Sequence, residues 1–331
     1  MSKPKIALIG LGLIGKSIGK ALRMVGGQLE VVGHDREPLA SREAQKVGAV
    51  DKVSWNLIET CEGADIVIMA TPLKGIEETL KAVASDLKPD CLVMDTANLK
   101  VPVMRWADEL LPDGISFVGG DPILGDHTQI EPSQTEDKSR ADLLKGTLFC
   151  LTPSTKATAE AIHLATDVVR LLEANPFFLD AAEHDGLIAG VEQLPVMLVL
   201  SLVRAMSAEP SWREMSKLAG PAFEDITRIL SQEPASLRDM LLFNGDNAVR
   251  LIDSWLQELY GLRASVQAQD REGVQQIIEA GLTVHERWLN DRGIGLWEKP
   301  QAPEIPSGGG FFGRMLGLRG NVDQAAQKKP S

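Results

Sequence analysis

Apolar and polar positions follow two rhythms along this chain. Over the first half, short apolar runs alternate with amphipathic stretches. Residues 5–9 form a brief apolar run that reads as a buried strand. A glycine-rich hexapeptide follows, and then 16–25 carries Ile18, Ala21, Leu22 and Val25 at helical spacing. Further strands are predicted at 30–33, 64–70, 92–94, 116–118 and 148–151, with helices over 42–47 and 75–84. Alternating strand and helix predict an α/β fold, a doubly wound parallel sheet of the Rossmann type.

After about residue 180 the rhythm changes. Long helical periodicity runs through 187–206, 223–230 and 248–262, and no convincing strand interrupts it. The predicted organisation is a dinucleotide-binding domain over 1–180, an all-helical substrate and dimerisation domain over 181–299, and a tail over 300–331 with the composition of a disordered segment. Helical stretches as apolar as 194–203 belong in a core or a subunit interface. Within the tail, 311–319 forms an apolar and basic island that reads as a short docking motif, a membrane-surface contact or a sticky stretch without function.

Composition narrows the function. At 44% hydrophobic and 24% charged, the chain is an ordinary globular mixture with enough apolar residues for sizeable cores. Its formal charge of -12 repels phosphate backbones and argues against nucleic acid as a partner. Cys61, Cys91 and Cys150 lack metal-ligand spacing and read as buried thiols, so no metal site is expected. The first residues do not fit a signal peptide, and the pattern shows no run of the ~18 apolar residues that a membrane helix needs. A cytoplasmic protein without a membrane span is therefore expected.

The hexapeptide Gly10-Leu11-Gly12-Leu13-Ile14-Gly15 is a weak signal alone. Here it directly follows a strand and opens a helix, the context a dinucleotide site requires. Gly10 would allow the tight turn, Gly12 the approach of the pyrophosphate, and Gly15 the close packing of helix on strand. The helix N-terminus, at Leu13 and Ile14, offers free N–H groups and a positive dipole to the phosphates. Asp35 ends the second strand, where a carboxylate would bond the adenosine ribose. It would also repel a 2′-phosphate, which favours NAD over NADP, although the neighbouring Arg36 would attract one. Thr71 and Pro72 follow the third strand and would line the nicotinamide end.

Several segments together resemble the prephenate and arogenate dehydrogenases of tyrosine biosynthesis. Gly10 to Ser17 looks like the opening of that family. Asp95-Thr96-Ala97-Asn98-Leu99-Lys100 resembles its Asp-x-Gly-Ser-x-Lys segment, and Gly119-Gly120-Asp121-Pro122-Ile123-Leu124-Gly125 resembles Gly-x-His-Pro-x-x-Gly. Leu151-Thr152-Pro153 matches a segment shortly beyond. His184-Asp185, with Ala189, Leu194 and Pro195, resembles the family's helix ending His-Leu-Pro-His, and the stretch from Ala219 to Arg228 resembles Ala-Gly-x-x-Phe-x-Asp-x-Thr-Arg. The matches keep their order over about 5–230. The resemblance implies a Rossmann domain, a helical dimer-forming domain, and NAD-dependent oxidation of a ring hydroxyl with loss of carbon dioxide.

It also implies site residues, and most are replaced. The family histidine that takes the hydroxyl proton stands here as Asp121, and the supporting serine as Asn98. The two histidines of His-Leu-Pro-His are Gln193 and Val196. Arg228 matches the arginine that handles the substrate's carboxylate. An aspartate has an ordinary pKa of about 3.9, a poor match to a hydroxyl unless burial raises it. His127, six residues beyond Asp121, is a candidate replacement base, whereas His184 reads as structural, orienting Asp185 or a helix start. The expected catalytic set is thus Asp121, Asn98 and Arg228, with His127 in reserve. The expected protein is a homodimeric dehydrogenase acting on a small anionic substrate. A silent NAD-binding dimer that senses or scaffolds, and a related dehydrogenase for another hydroxy acid, are the alternative readings.

Overall fold

The computed structural model describes residues 3–25, 27–124, 138–231 and 233–294. His127 and the 311–319 island lie outside the described residues. The chain divides into two compact units, one running through His184 and the other starting at Asp185.

The first unit is built on one eight-stranded sheet. In chain order it contains β1 (Lys5–Ile9), α1 (Leu13–Arg23), β2 (Glu30–His34), α2 (Pro38–Lys46), β3 (Lys52–Val53), α3 (Leu57–Cys61), β4 (Ile66–Met69) and α4 (Leu73–Val83). It continues with β5 (Leu92–Asp95), α5 (Val101–Leu110), β6 (Ser116–Ile123), β7 (Leu148–Pro153), α6 (Ala159–Leu171) and β8 (Asn175–Phe178). The strand order is β3-β2-β1-β4-β5-β6-β7-β8. Its first six strands have the order of a dinucleotide-binding sheet, with the reversal point between β1 and β4. Every residue of β4 and β5 is buried, as expected when helices cover both faces of a parallel sheet.

Three local features differ from the expected pattern. The two-residue β3 is too short, and the proline-containing β8 too irregular, to show as apolar runs. β7 pairs antiparallel with β6, so the sheet is parallel in all but that one pairing. β6 also continues well past Val118, through Gly119 and Gly120 to Asp121. These two glycines, beyond the predicted strand at 116–118, are there for space. A Cβ on Gly120 would lie 2.6 Å from the Asp95 carbonyl oxygen, and one on Gly119 would lie 3.0 Å from Cδ of Lys100. Asp121 is therefore held on a paired strand.

The second unit is helical, with no strand among its described residues. α7 (Ala181–Ile188) runs across the division and passes through a π-helical turn (Ala189–Gln193) into α8 (Leu194–Ser207). α9 (Trp212–Leu218), α10 (Pro221–Thr227), α11 (Pro234–Phe243), α12 (Gly245–Gln267) and α13 (Arg271–Ile294) follow. The helix from Ala181 to Ser207 has 27 residues and contains an 18-residue window with a mean hydropathy of 1.9, long and apolar enough to cross a membrane. That corrects the expectation that no run reaches this length. His184, Asp185, Gln193 and Pro195 break the apolar pattern in the sequence without ending the helix. These buried polar groups find partners inside the fold. Asn244 Nδ2 donates to the Asp185 carbonyl at 2.9 Å and to Gln193 Oε1 at 3.1 Å.

Candidate active site

The glycine turn between β1 and α1 is shaped by close approach. Gly10 has φ +89°, and a Cβ there would lie 2.4 Å from the Ala70 carbonyl oxygen. A Cβ on Gly15 would lie 1.9 Å from the Gly10 carbonyl oxygen. Both positions exclude any side chain. Gly12 differs, since a Cβ on it would meet nothing within 4 Å. The space beside Gly12 is open, and Gly12 is also the N-cap of α1 with no side-chain capping bond. The first N–H groups of α1, at Leu13 and Ile14, thus open onto unfilled space at the positive end of the helix dipole.

The carboxylate at the end of β2 plays two parts. Asp35 Oδ2 accepts the Leu11 N–H at 2.7 Å, and Oδ1 accepts the Glu37 N–H at 2.8 Å. It fastens the glycine turn to the adjacent strand while remaining half-exposed. Each oxygen keeps lone-pair capacity for a further donor such as a ribose hydroxyl. Arg36 is exposed beside it. Across the turn, a Cβ on Gly10 would lie 2.8 Å from Thr71 Cγ2. The buried hydroxyl of Thr71 has no hydrogen-bond partner among the described residues, and Pro72 then caps α4. A buried, unpartnered hydroxyl is costly unless something else satisfies it. The open space at Gly12, the bare helix start and the orphan Thr71 Oγ1 all fit a dinucleotide laid across this edge.

A second cluster lies at the carboxyl edge of β5 and β6. Lys100 and Asp95 form a fully buried ion pair, Nζ to Oδ2 at 2.6 Å. Lys100 Nζ also donates to the Gly120 carbonyl at 2.6 Å. Asp95 accepts the N–H groups of Ala97 at 2.9 Å and Gly120 at 3.0 Å. These bonds lock β5, the entry to α5 and the end of β6 together. Asn98 lies half-buried between the two partners of the pair.

The next residue on β6 is Asp121, 4% exposed. Its Oδ2 lies 3.1 Å from Nε2 of His184, which is itself 1% exposed. Asp180 Oδ1 accepts the N–H groups of Ala182 and Glu183 and so starts α7, whose first turn carries His184 back to β6. Burial pushes the Asp121 carboxyl above the usual carboxylate range, while the His184 hydrogen bond and the Lys100 charge oppose that shift. A carboxyl raised in this way is better matched to proton exchange with a hydroxyl than an ordinary aspartate.

The two other histidine-like positions are rebuilt. Gln193 is fully buried, and its amide donates to the Met240 carbonyl at 3.4 Å. Val196 is buried. Arg228 stands at the C-cap of α10 in the second unit, and its side chain is 56% exposed and paired with Asp225 at 2.8 Å. The cysteines are free and buried, and burial raises Cys61 and Cys91 to about 12. His184, which reads as structural in the sequence, has its side chain against Asp121, a partner that sequence reasoning missed. The signal for it was the unusual coincidence of an aspartate in place of one histidine with a second histidine retained on α7.

Comparison with known proteins gives a consistent picture. Residues 18–176 match the family model described as prephenate dehydrogenase, nucleotide-binding domain, and 180–280 match that described as prephenate dehydrogenase, dimerization domain. The chain is 30% identical over 274 residues to a prephenate dehydrogenase of Bacillus subtilis, covering 82% of this chain and 72% of that one. It is 26% identical over 267 residues to a cyclohexadienyl dehydrogenase of Zymomonas mobilis, covering 80% and 89%. A crystal structure of prephenate dehydrogenase from Aquifex aeolicus with hydroxyphenyl propionate and NAD+ superposes with a TM-score of 0.76 at 25% identity, covering 86% and 99%.

Proposed function

The chain belongs to the prephenate dehydrogenase family, and from that premise we propose that Asp121 is the group through which it oxidises its substrate. The protein is an NAD-dependent oxidoreductase of the prephenate and arogenate type. The observation that carries the reading is the buried, hydrogen-bonded Asp121 at the carboxyl edge of the sheet, where the family motif has its proton-accepting histidine.

NAD, when bound, supplies the hydride acceptor. The N–H groups of Leu13 and Ile14 and the open face of Gly12 would hold the pyrophosphate, and Asp35 would bond the adenosine ribose. Thr71 Oγ1 would supply a hydrogen bond near the nicotinamide end, with Pro72 beside it. Asp121 takes the proton from the ring hydroxyl as the carbon loses hydride. Loss of the ring carboxylate as carbon dioxide then makes the ring aromatic. The ring oxygen recovers its proton, so the base is regenerated. Asn98 hydrogen-bonds the hydroxyl or the carboxamide of the nicotinamide. Arg228, with its guanidinium exposed, binds the substrate's carboxylate end.

The protein acts as a homodimer in the cytoplasm. Support for the dimer is the match to a dimerization domain and the large apolar side chains exposed on α12 and α13, among them Val249, Val266, Leu282 and Val284. An apolar partner helix would cover them, and the same explanation serves the apolar helix from Ala181 to Ser207.

Purified protein mixed with NAD or NADP, and with prephenate or arogenate in turn, tests the reading by absorbance of the reduced nicotinamide. NAD-dependent turnover of one substrate is expected. Binding of NAD without any turnover would leave the silent dimer instead. Activity gained only on Asp121→His with Asn98→Ser would identify that state.

A further inference from the structure

His184 bonds the carboxyl that the proposed function makes the proton acceptor, and nothing in the reaction described so far uses it. We propose that His184 is the positioning residue of this proton transfer: its imidazole holds Oδ2 of Asp121 so that Oδ1 meets the substrate's ring hydroxyl. The proposal rests on the functional reading above and divides the roles within the pair.

The geometry sets the division. His184 Nε2 is 3.1 Å from Oδ2, and His184 is the more deeply buried of the two. Oδ1 of Asp121 accepts no hydrogen bond among the described residues. One oxygen is therefore committed and the other is available. The groups facing the carboxyl come from four elements. Lys100 at the start of α5 and Asp95 on β5 act on it through charge, and His184 on α7 through a hydrogen bond. Cys150 on β7 is its register partner across the strand pair. The Lys100 charge is already committed to Asp95 and Gly120. This leaves His184 as the donor that bonds Asp121 directly.

Atoms balance without a further reactant. The hydroxyl O–H bond breaks and its proton moves to Oδ1 while the ring carbon gives up hydride. When the ring carboxylate departs as carbon dioxide, its bonding pair passes through the ring to the oxygen. That oxygen takes the proton back from Oδ1, and the pair is restored. An imidazole fixed on Oδ2 keeps the carboxyl in one rotamer through both transfers and favours its ionised form at the start of each cycle. The family places one histidine at the substrate. In this chain the carboxyl is at the substrate and the histidine stands behind it.

The experiment is the pH dependence of kcat/KM for the wild type, His184→Asn and His184→Gln, with NAD affinity measured alongside as a control for folding. The wild type should show an acid limb set by Asp121. Loss of the His184 bond removes an influence that lowers the Asp121 pKa, so in His184→Asn the limb moves to higher pH. A move of about one unit lowers activity about tenfold below the limb, and the loss recovers at higher pH. His184→Gln can bring its amide N–H near the position of Nε2, which the shorter Asn does not reach, and should lie between the two. An unmoved limb in a variant that still binds NAD overturns the role of His184 and leaves the functional reading intact. Absence of turnover in the wild type overturns the functional reading instead. The pair is then judged by nitrogen NMR of the imidazoles. If the titration of His184 is the same in the wild type and in Asp121→Asn, the two do not act together and the proposal fails.

Discussion

Asp35 Oδ2 accepts the Leu11 N–H at 2.7 Å, which ties the end of β2 to the middle of the glycine turn. One carboxylate thus shapes the pyrophosphate loop and places negative charge where the 2′-phosphate of NADP would lie. Asp35→Ala should raise the KM for NAD about tenfold or more, equivalent to about 1.4 kcal/mol. The penalty for NADP should be smaller, because the repulsion disappears and Arg36 remains exposed alongside. KM values for both cofactors decide the matter. An unchanged preference between them would show that Asp35 serves the loop alone.

Gly12 and Gly15 separate cofactor binding from folding. A methyl group on Gly12 would meet nothing within 4 Å among the described residues, and one on Gly15 would lie 1.9 Å from a backbone oxygen. Gly12→Ala should therefore keep the wild-type Tm and lose most of its NAD affinity, because the methyl enters the space reserved for the pyrophosphate. Gly15→Ala should lower the Tm by several degrees or fail to fold, since neither the turn nor α1 can move away cheaply. Calorimetry and NAD titration on the two variants form the check. A Gly12→Ala protein with undiminished affinity would place the pyrophosphate elsewhere.

The cofactor half of the molecule was readable from the chain because its physics is local. A strand, the glycine turn and a helix lie within 19 consecutive residues, Lys5–Arg23, although the space that Gly10 leaves free belongs to Ala70 and Thr71 on a distant segment. The Asp95–Lys100 and Asp121–His184 cluster is assembled from β5, β6, the start of α5 and α7, which are far apart in sequence. Asp121 and His184 are separated by 63 positions, and no periodicity connects them. Gly119 and Gly120 fell outside the predicted strand at 116–118 because their need for space comes from Lys100 and Asp95, a contact that sequence spacing does not report. The antiparallel β7 was hidden for the same reason, since strand direction depends on the path of the chain between strands.

The raised Asp121 carboxyl carries a signature in stability. Its folded pKa exceeds its unfolded value, so the native state holds the proton more tightly than the unfolded state does. Between the unfolded value of about 3.9 and the raised folded value, the contribution of Asp121 to stability declines as pH rises, and it is constant above that window. Asp121→Asn removes this penalty and keeps an amide oxygen for the His184 bond. Relative to the wild type, the variant should gain stability steadily from about pH 4 upward and then level off. Its kcat should fall by about 10²-fold or more, the usual loss on removing a general base. Urea unfolding at a series of pH values reads the first effect. A stability difference that stays flat with pH would mean that the carboxyl is not raised.

Lys100 and Asp95 should prove the most sensitive pair in the first unit. Neither side chain is exposed, and the pair is enclosed by three further bonds to Gly120 and Ala97. Lys100→Met leaves the Asp95 carboxylate buried without its cation, a change that typically costs about 3–5 kcal/mol. An isolated buried ion pair is often rescued by replacing both partners with apolar side chains. That rescue should fail here. Asp95→Leu with Lys100→Met would strand the Ala97 and Gly120 N–H groups, at about 1–3 kcal/mol for each buried donor left unpaired. Asp95→Asn with Lys100→Met keeps an acceptor for one of them and should recover more of the stability than the leucine double variant. Because the same bonds anchor Gly120, the residue before Asp121, variants that remain folded should also lose kcat more than NAD affinity. Denaturant unfolding of the three variants gives the ranking. Equal recovery by leucine and asparagine would show that the amide bonds to Asp95 contribute nothing and that the pair acts through charge alone.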